Sequence, residues 1–313
     1  METRQHSGIS RRHFISLAAA GAAAMAASRR ALAAVPSIPT GIQLYTVGPD
    51  FAKDPPGTLR KLAQIGYQEV ESAGFGSVSP SQLRDLLKEA GLRAPSAHLG
   101  FGAEDTGKLL DEAKALGAEY AVSSALLPPS AQAAAASGGL LKIINALQAD
   151  DFKAVAALAN EIARKARAAG LQFAYHNHNF EFRDLGGGKT GYEILLDETD
   201  SSLVKFEADC GWMKAAGADP VAFFTNYPGR FVMLHIKDFK DISRPITSLG
   251  TPDGPVPTEL GRGSIDLKSI VEAGRRAGVK HMFVEQEPPF NDMTPMEAAA
   301  VDYTCLHSLL EGK

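Results

Sequence analysis

Cysteine is scarce: Cys210 and Cys305 are the only two in 313 residues. That excludes a disulfide scaffold and a cysteine-rich metal cluster. Tryptophan occurs once, at position 212, and aromatic residues make up 7% of the chain. No G-x-G-x-x-G follows the first expected strand, so dinucleotide binding is unsupported. The glycine run 186–188 lacks the Lys-Ser/Thr ending of a phosphate-binding loop and reads as a flexible turn. A basic run is also missing. Beyond the first 34 residues the chain carries 27 basic and 35 acidic side chains, a formal charge of −8. Phosphate binding needs clustered Lys and Arg, so neither nucleic acid nor an anionic membrane is an expected partner. No apolar run is long enough for a stable membrane anchor. What is present is ordinary globular material, 45% hydrophobic and 22% charged, enough for a sizeable core.

Five segments share one pattern, a helical stretch, a glycine and a short apolar strand. The glycines are Gly66, Gly91, Gly117, Gly170 and Gly278. Glycine just past a helix end supplies the left-handed turn that sends the chain into a strand. The strands expected are 41–45, 67–72, 92–98, 120–124, 171–176, 203–208, 231–236 and 282–287. Eight such strands alternating with helices in one domain, 35–313, predict an α/β fold of the (β/α)8 barrel type. Two insertions, 128–150 and 242–263, follow strands four and seven. They are expected on the C-terminal face, as a lid or as a covering or oligomer contact.

The ends of these strands are unusually polar. They carry Gln43, Glu69 and Glu71, His98, His176 to Glu181, Glu207 and Asp209, His235 to Asp238, and Glu285 to Glu287. Apolar strands do not finish in His, Asp and Glu unless those groups meet water, each other or a metal. In a barrel all these ends converge on the face where active sites are built. Alternation places His176 with His178, and His235 with Lys237, on common sides. Converging Asp, His and Glu make a mixed N/O site suited to one divalent ion, Mn, Zn, Co, Mg or Fe. Cys210 reads as a small buried residue, and Trp212 and Phe75 as packing residues or sugar-stacking rings.

Five motifs carry a resemblance: Gly41-Ile42-Gln43-Leu44-Tyr45, Tyr175 to Phe182 (YHNHNFEF), His235-Ile236-Lys237-Asp238, Gly261 to Asp266 (GRGSID), and Val284-Glu285-Gln286-Glu287. Through them, over roughly residues 41–310, the chain resembles the xylose isomerase-like TIM barrels, in particular the sugar phosphate isomerase/epimerase branch. The resemblance implies a divalent metal at the barrel mouth, with Asp209, His235 and Glu285 matching three of the four usual ligands. The fourth is usually a Glu at the end of strand five. Here His176 stands there, with Glu181 five residues on, and Glu181 is taken as the fourth ligand with His176 as the alternative.

The expected chemistry is proton transfer beside a sugar carbonyl through an enediolate. Glu285 is the first choice of base, with Glu181 or His176 opposite. His98, His178, Lys237 and Arg262 are expected to bind the carbohydrate. The same enolate can expel a β-substituent, so lyase or hydrolase action on a 3-keto-glycoside is the alternative, and non-catalytic sugar binding a further one. An abasic-site nuclease is disfavoured by the acidic body. A two-carboxylate glycosidase would work without metal.

The first 34 residues read as an address. Ser10-Arg11-Arg12-His13-Phe14-Ile15-Ser16 precedes an Ala-rich run and a small-residue exit at 31–34. The paired arginines resemble a twin-arginine signal. This implies engagement of the twin-arginine export machinery and a periplasmic or secreted protein.

Overall fold

Eight short strands close on themselves: β1 Thr40–Gln43, β2 Glu69–Ala73, β3 Arg93–His98, β4 Tyr120–Ser123, β5 Gln172–His176, β6 Val204–Asp209, β7 Phe231–Ile236 and β8 His281–Val284. This computed structural model describes residues 38–312 except 103, 104 and 124. The signal-like segment 1–34 lies outside the described residues. Every strand pairs in parallel with its sequence neighbours, and β8 closes on β1. The expected (β/α)8 barrel is the observed one.

One helix follows each strand on the outside: α1 Pro55–Ile65, α2 Pro80–Ala90, α3 Thr106–Leu116, α4 Ala149–Ala168, α5 Gly191–Glu198, α6 Pro220–Asn226, α7 Leu267–Ala277 and α8 Pro295–Leu310. Local chemistry sets their ends. Ser79, Thr190 and Thr294 cap α2, α5 and α8 in reciprocal boxes with Gln82, Glu193 and Glu297, which satisfies backbone N–H groups the helix leaves unpaired. At the other end, Gly91 closes α2 at φ 77°, a left-handed conformation that side chains resist. No helix among the described residues is long and apolar enough to cross a membrane.

Two strands end earlier than their sequence suggests. Strand one was expected to reach Tyr45, but the Gln43 side chain accepts the Tyr45 N–H at 3.1 Å and starts a 3-10 turn, Leu44–Val47. Strand eight was expected to reach Glu287, but the Gln286 N–H donates to Thr46 Oγ1 at 3.0 Å. In both places a side chain replaces the ladder partner.

Val122, Ala174, Met233 and Phe283 fill the barrel's middle. Gly41 makes room there, since a Cβ would sit 2.4 Å from a Phe283 ring carbon. Below this plug, His281 Nδ1 lies 2.8 Å from buried Glu69, which also pairs with Arg93. This polar layer lies at the N-terminal end of the strands, where barrels keep stability rather than chemistry.

The two insertions meet each other. Asn145 donates to the Leu249 carbonyl and accepts the Leu249 N–H, both at 2.9 Å. Asn179, just after β5, donates to the Ile246 and Ser248 carbonyls at 3.0 and 3.2 Å. A short antiparallel ladder, Asp238–Phe239 with Pro257–Thr258, anchors the second insertion at its base.

Candidate metal centre

Strand register sets the polar ends side by side. His176 pairs with Glu207, Asp209 with His235, and Gln43 with Glu71. Glu207 and Asp209 are two residues apart, so they share the inner face at two depths. Two overlapping sets of metal-competent side chains result: His98, His176, Glu207 and His235, and nearer the mouth His176, Asp209, His235 and Glu285. Within each set the candidate ligand atoms lie within 4.8 Å of one another.

The imidazoles show which set suits an ion. His176 turns Nδ1 to Glu207 Oε2 at 2.9 Å and Nε2 toward Asp209 Oδ2 at 3.9 Å. His235 turns Nε2 to Glu71 Oε2 at 2.6 Å and Nδ1 to Glu285 Oε2 at 3.0 Å. Each ring therefore has a buried carboxylate on one nitrogen and the upper group on the other. A metal-bound imidazole needs that arrangement: the outer carboxylate holds one N–H and leaves the opposite lone pair for the ion. The upper set thus offers two nitrogens and two carboxylate oxygens, while Glu71 and Glu207 orient the rings from below. His98 Nε2 lies between these two carboxylates, at 3.1 and 2.8 Å.

The donors fit a divalent cation. Atoms about 2.0–2.2 Å from one ion lie within about 4.4 Å of each other, so the upper set needs only slight contraction. Asp209 Oδ2 is buried and accepts no well-formed hydrogen bond. Asp209 and Glu285 share one internal cation: Lys237 Nζ lies 3.1 Å from Asp209, 2.9 Å from Glu285 and 2.8 Å from Glu287. Gly211 gives the lysine stem its path, because a Cβ there would sit 2.7 Å from Lys237 Cβ.

Burial and charge act against each other on these groups. Burial, then His235 and His98, holds His176 well below the usual imidazole range, so it is neutral. Burial opposes charge on His235, yet Glu207 and Glu285 hold it well above that range. Burial raises Asp209 to about 6, and burial with Glu71 raises Glu207 to about 7. Burial alone would raise Glu285, but Lys237 and His235 hold it well below the ordinary carboxylate range. An ion at this centre therefore competes with protons on His235, Asp209 and Glu207.

A family model described as "Xylose isomerase-like TIM barrel" matches residues 59–301. The chain belongs to that family. Among curated relatives, inosose dehydratase of Lacticaseibacillus casei is 28% identical over 151 residues, 44% of this chain and 49% of that protein. The chain thus spans about half the length of that relative. Among solved structures, a sugar phosphate isomerase/epimerase from Parabacteroides distasonis superposes with TM-score 0.68 at 23% identity, covering 88% of this chain and 96% of that one. The IOLI protein with a bound zinc atom superposes with TM-score 0.66 at 16% identity, over 88% and 99%. At these identities the structural likeness speaks for the fold.

In this xylose isomerase-like barrel, a pocket of about 760 Å³ opens above the centre. His98, His176, His178, Trp212, Glu285 and Glu287 are among its lining residues. Asp209, His235 and Glu285 converge as the motifs implied, and His176 rather than Glu181 completes their set. Glu181 stands apart because the chain turns into a 3-10 segment, Phe180–Phe182, after β5. Its carboxylate accepts the Tyr175 hydroxyl and the His178 N–H, each at 3.0 Å, and burial raises it to about 8. Arg262 is also outside the pocket lining. Asp238 accepts the N–H groups of Gly261, Gly263 and Ile265, which fixes the turn with Arg262 directed to Glu259 at 3.4 Å. Phase-like neighbours of the motif have structural tasks too: Asn177 donates to the Asp209 carbonyl and accepts the Asp209 N–H, tying β5 to β6.

Glu71 and Glu207 were visible as polar strand residues but had no assigned task. The signal was period-two alternation, which places Glu207 on the same face as Asp209.

Proposed function

We propose that the protein is a metal-dependent sugar isomerase or epimerase that moves a proton on the carbon beside a carbonyl. The observation that carries this reading is the convergence of His176, Asp209, His235 and Glu285 within 4.8 Å beneath a ligand-sized pocket. When bound, a divalent ion supplies positive charge to two neighbouring substrate oxygens and makes the adjoining C–H acidic.

The remaining steps belong to the chain. Glu285 takes the proton, the C–H electron pair forms the new C=C bond, and the carbonyl oxygen becomes that of an enediolate. Lys237 keeps the buried carboxylates of Asp209 and Glu285 charged. Burial, then Lys237, pushes His178 down to about 3. It is therefore a neutral ring on the pocket wall, suited to a substrate hydroxyl. Return of the proton by Glu285 to the neighbouring carbon completes an isomerisation. Glu181 and His176 are engaged elsewhere, which favours this one-base path over epimerisation between opposed bases.

A second reading is elimination. The inosose dehydratase relatives favour it, because dehydration proceeds from the same kind of enolate. On a 3-keto-glycoside the enolate electron pair would expel the aglycone oxygen and leave an unsaturated ketone. We also propose that the protein is exported, already folded, through the twin-arginine machinery that its first 34 residues resemble a substrate for.

The test is metal analysis of the purified protein, then NMR of free sugars and 3-keto-glycosides in deuterated water. Solvent deuterium at the carbon beside the carbonyl is the expected result, and Glu285→Gln should abolish it while retaining the fold. Saturable sugar binding with no deuterium uptake would instead mark a binding protein. Deuterium uptake that persists in Glu285→Gln would remove Glu285 as the base.

A further inference from the structure

We infer that the pocket selects an uncharged carbohydrate carrying an apolar substituent, and discriminates against sugar phosphates. The inference rests on the proposed function for the identity of the reacting ring. Its own support comes from how charge is distributed around the mouth.

A phosphate dianion needs a cation or unpaired N–H groups. Among the described residues lining the pocket there is no Lys or Arg. The two nearby cations named in the motifs are committed: Lys237 to Asp209, Glu285 and Glu287, and Arg262 to Glu259. The ion at the centre is matched by the charges of Asp209 and Glu285, and Glu287 also lines the pocket. A dianion would therefore meet carboxylates with no net positive charge to offset them.

The backbone is equally closed to phosphate. Barrels of this architecture often hold phosphate at the loops after strands seven and eight, on a helix N-terminus. Here the chain's own acids occupy those ends. Asp266 accepts the Ser269 N–H at the start of α7, 3.1 Å, and hydrogen-bonds the Ser269 hydroxyl. Glu297 accepts the Thr294 N–H and hydroxyl at the start of α8, both at 2.8 Å. After β6, Asp209 itself accepts the Trp212 N–H at 2.8 Å.

The space beyond the centre is apolar instead. Tyr45, Leu99, Phe101, Trp212, Leu249 and Pro255 line it. Tyr45 is 55% exposed, an aromatic face left open at the rim. The volume, about 760 Å³, belongs to the upper part of the ~300–1,000 Å³ span of small-molecule sites. It exceeds what one sugar ring fills. A sugar ring over the centre with an aryl or comparable aglycone against this wall satisfies both regions.

Trp212 is the chain's single tryptophan and lines the pocket, so its fluorescence reports occupancy without any turnover. The metal-loaded full chain is titrated with a hexose, its methyl and phenyl glycosides, and its 6-phosphate. The phenyl glycoside should bind about tenfold more tightly than the methyl glycoside, the worth of one buried, stacked ring. The 6-phosphate should bind more weakly than the free hexose. Tyr45→Ala should shrink the phenyl-to-methyl ratio. A phosphate ester that binds more tightly than the free sugar, or phenyl and methyl glycosides of equal affinity, would overturn the inference, as would no saturable response to any of them. Solvent deuterium exchange is scored separately. Selectivity without exchange leaves this inference standing and removes the proposed reaction; exchange without selectivity does the reverse.

Discussion

Replacing Glu207 by Gln should weaken metal binding although Glu207 is not in the upper ligand set. Its Oε2 lies 2.9 Å from His176 Nδ1 and 2.8 Å from His98 Nε2, and the residue is fully buried. Gln conserves volume and shape but removes the charge that orients His176 and enriches its opposite nitrogen. A hydrogen bond to a charged group is worth about 1.5–3 kcal/mol. Removal of comparable outer carboxylates lowers metal affinity by about 10–100-fold, or about 1.4–2.7 kcal/mol. Those ranges overlap, so the dissociation constant should rise by one to two orders of magnitude. Chelator competition measures it, with circular dichroism to establish that the variant is folded. Glu181→Gln is the matched control: its carboxylate is bound to Tyr175 and the His178 backbone, and metal affinity should not change. A folded Glu207→Gln variant with unchanged affinity would show that His176 does not ligate through the nitrogen opposite Glu207.

Other expectations follow from the same geometry. Metal affinity should climb between pH 5 and pH 8, because Asp209 and Glu207 release protons near pH 6 and 7 and His235 must give up its own; isothermal titration in two buffers should detect proton release on binding. Glu181 binds its proton up to about pH 8 in the folded state but only to about 4.3 when unfolded. Its contribution to stability is thus present at low pH and lost as pH rises toward 8. The melting temperature of Glu181→Gln, relative to the parent, should accordingly improve from pH 5 to pH 8, and a constant difference would refute the assignment. Converting Arg11 and Arg12 together to Lys should leave the protein in the cytoplasm, as fractionation would show; undiminished export would exclude the twin-arginine route.

The barrel was legible because each βα unit is locally specified. Glycines such as Gly91 and Gly278 mark helix ends, and the strands between are continuous apolar runs. Asp209, His235 and Glu285 were legible for a different reason: acids and imidazoles at apolar strand ends require partners. Legibility faded where backbone leaves the strand. Counting from His176 to Glu181 says nothing of the 3-10 turn that returns Glu181 to Tyr175. Likewise, two glycines around Arg262 suggest reach, whereas three N–H groups held by Asp238 make that turn rigid. The lower carboxylates, Glu71 and Glu207, needed three-dimensional pairing before their task could be separated from that of Asp209.

The paired amide bonds of Asn145 with Leu249 have an engineering consequence. Because Asn179 fastens the same segment from a third direction, redesign of either insertion would disturb both and tug on the turn beside His178. Tyr45 has no such ties across the opening; its side chain is largely in solvent. Attempts to retune which molecules are accepted should therefore begin at position 45, where diversity can be introduced without unpicking the roof.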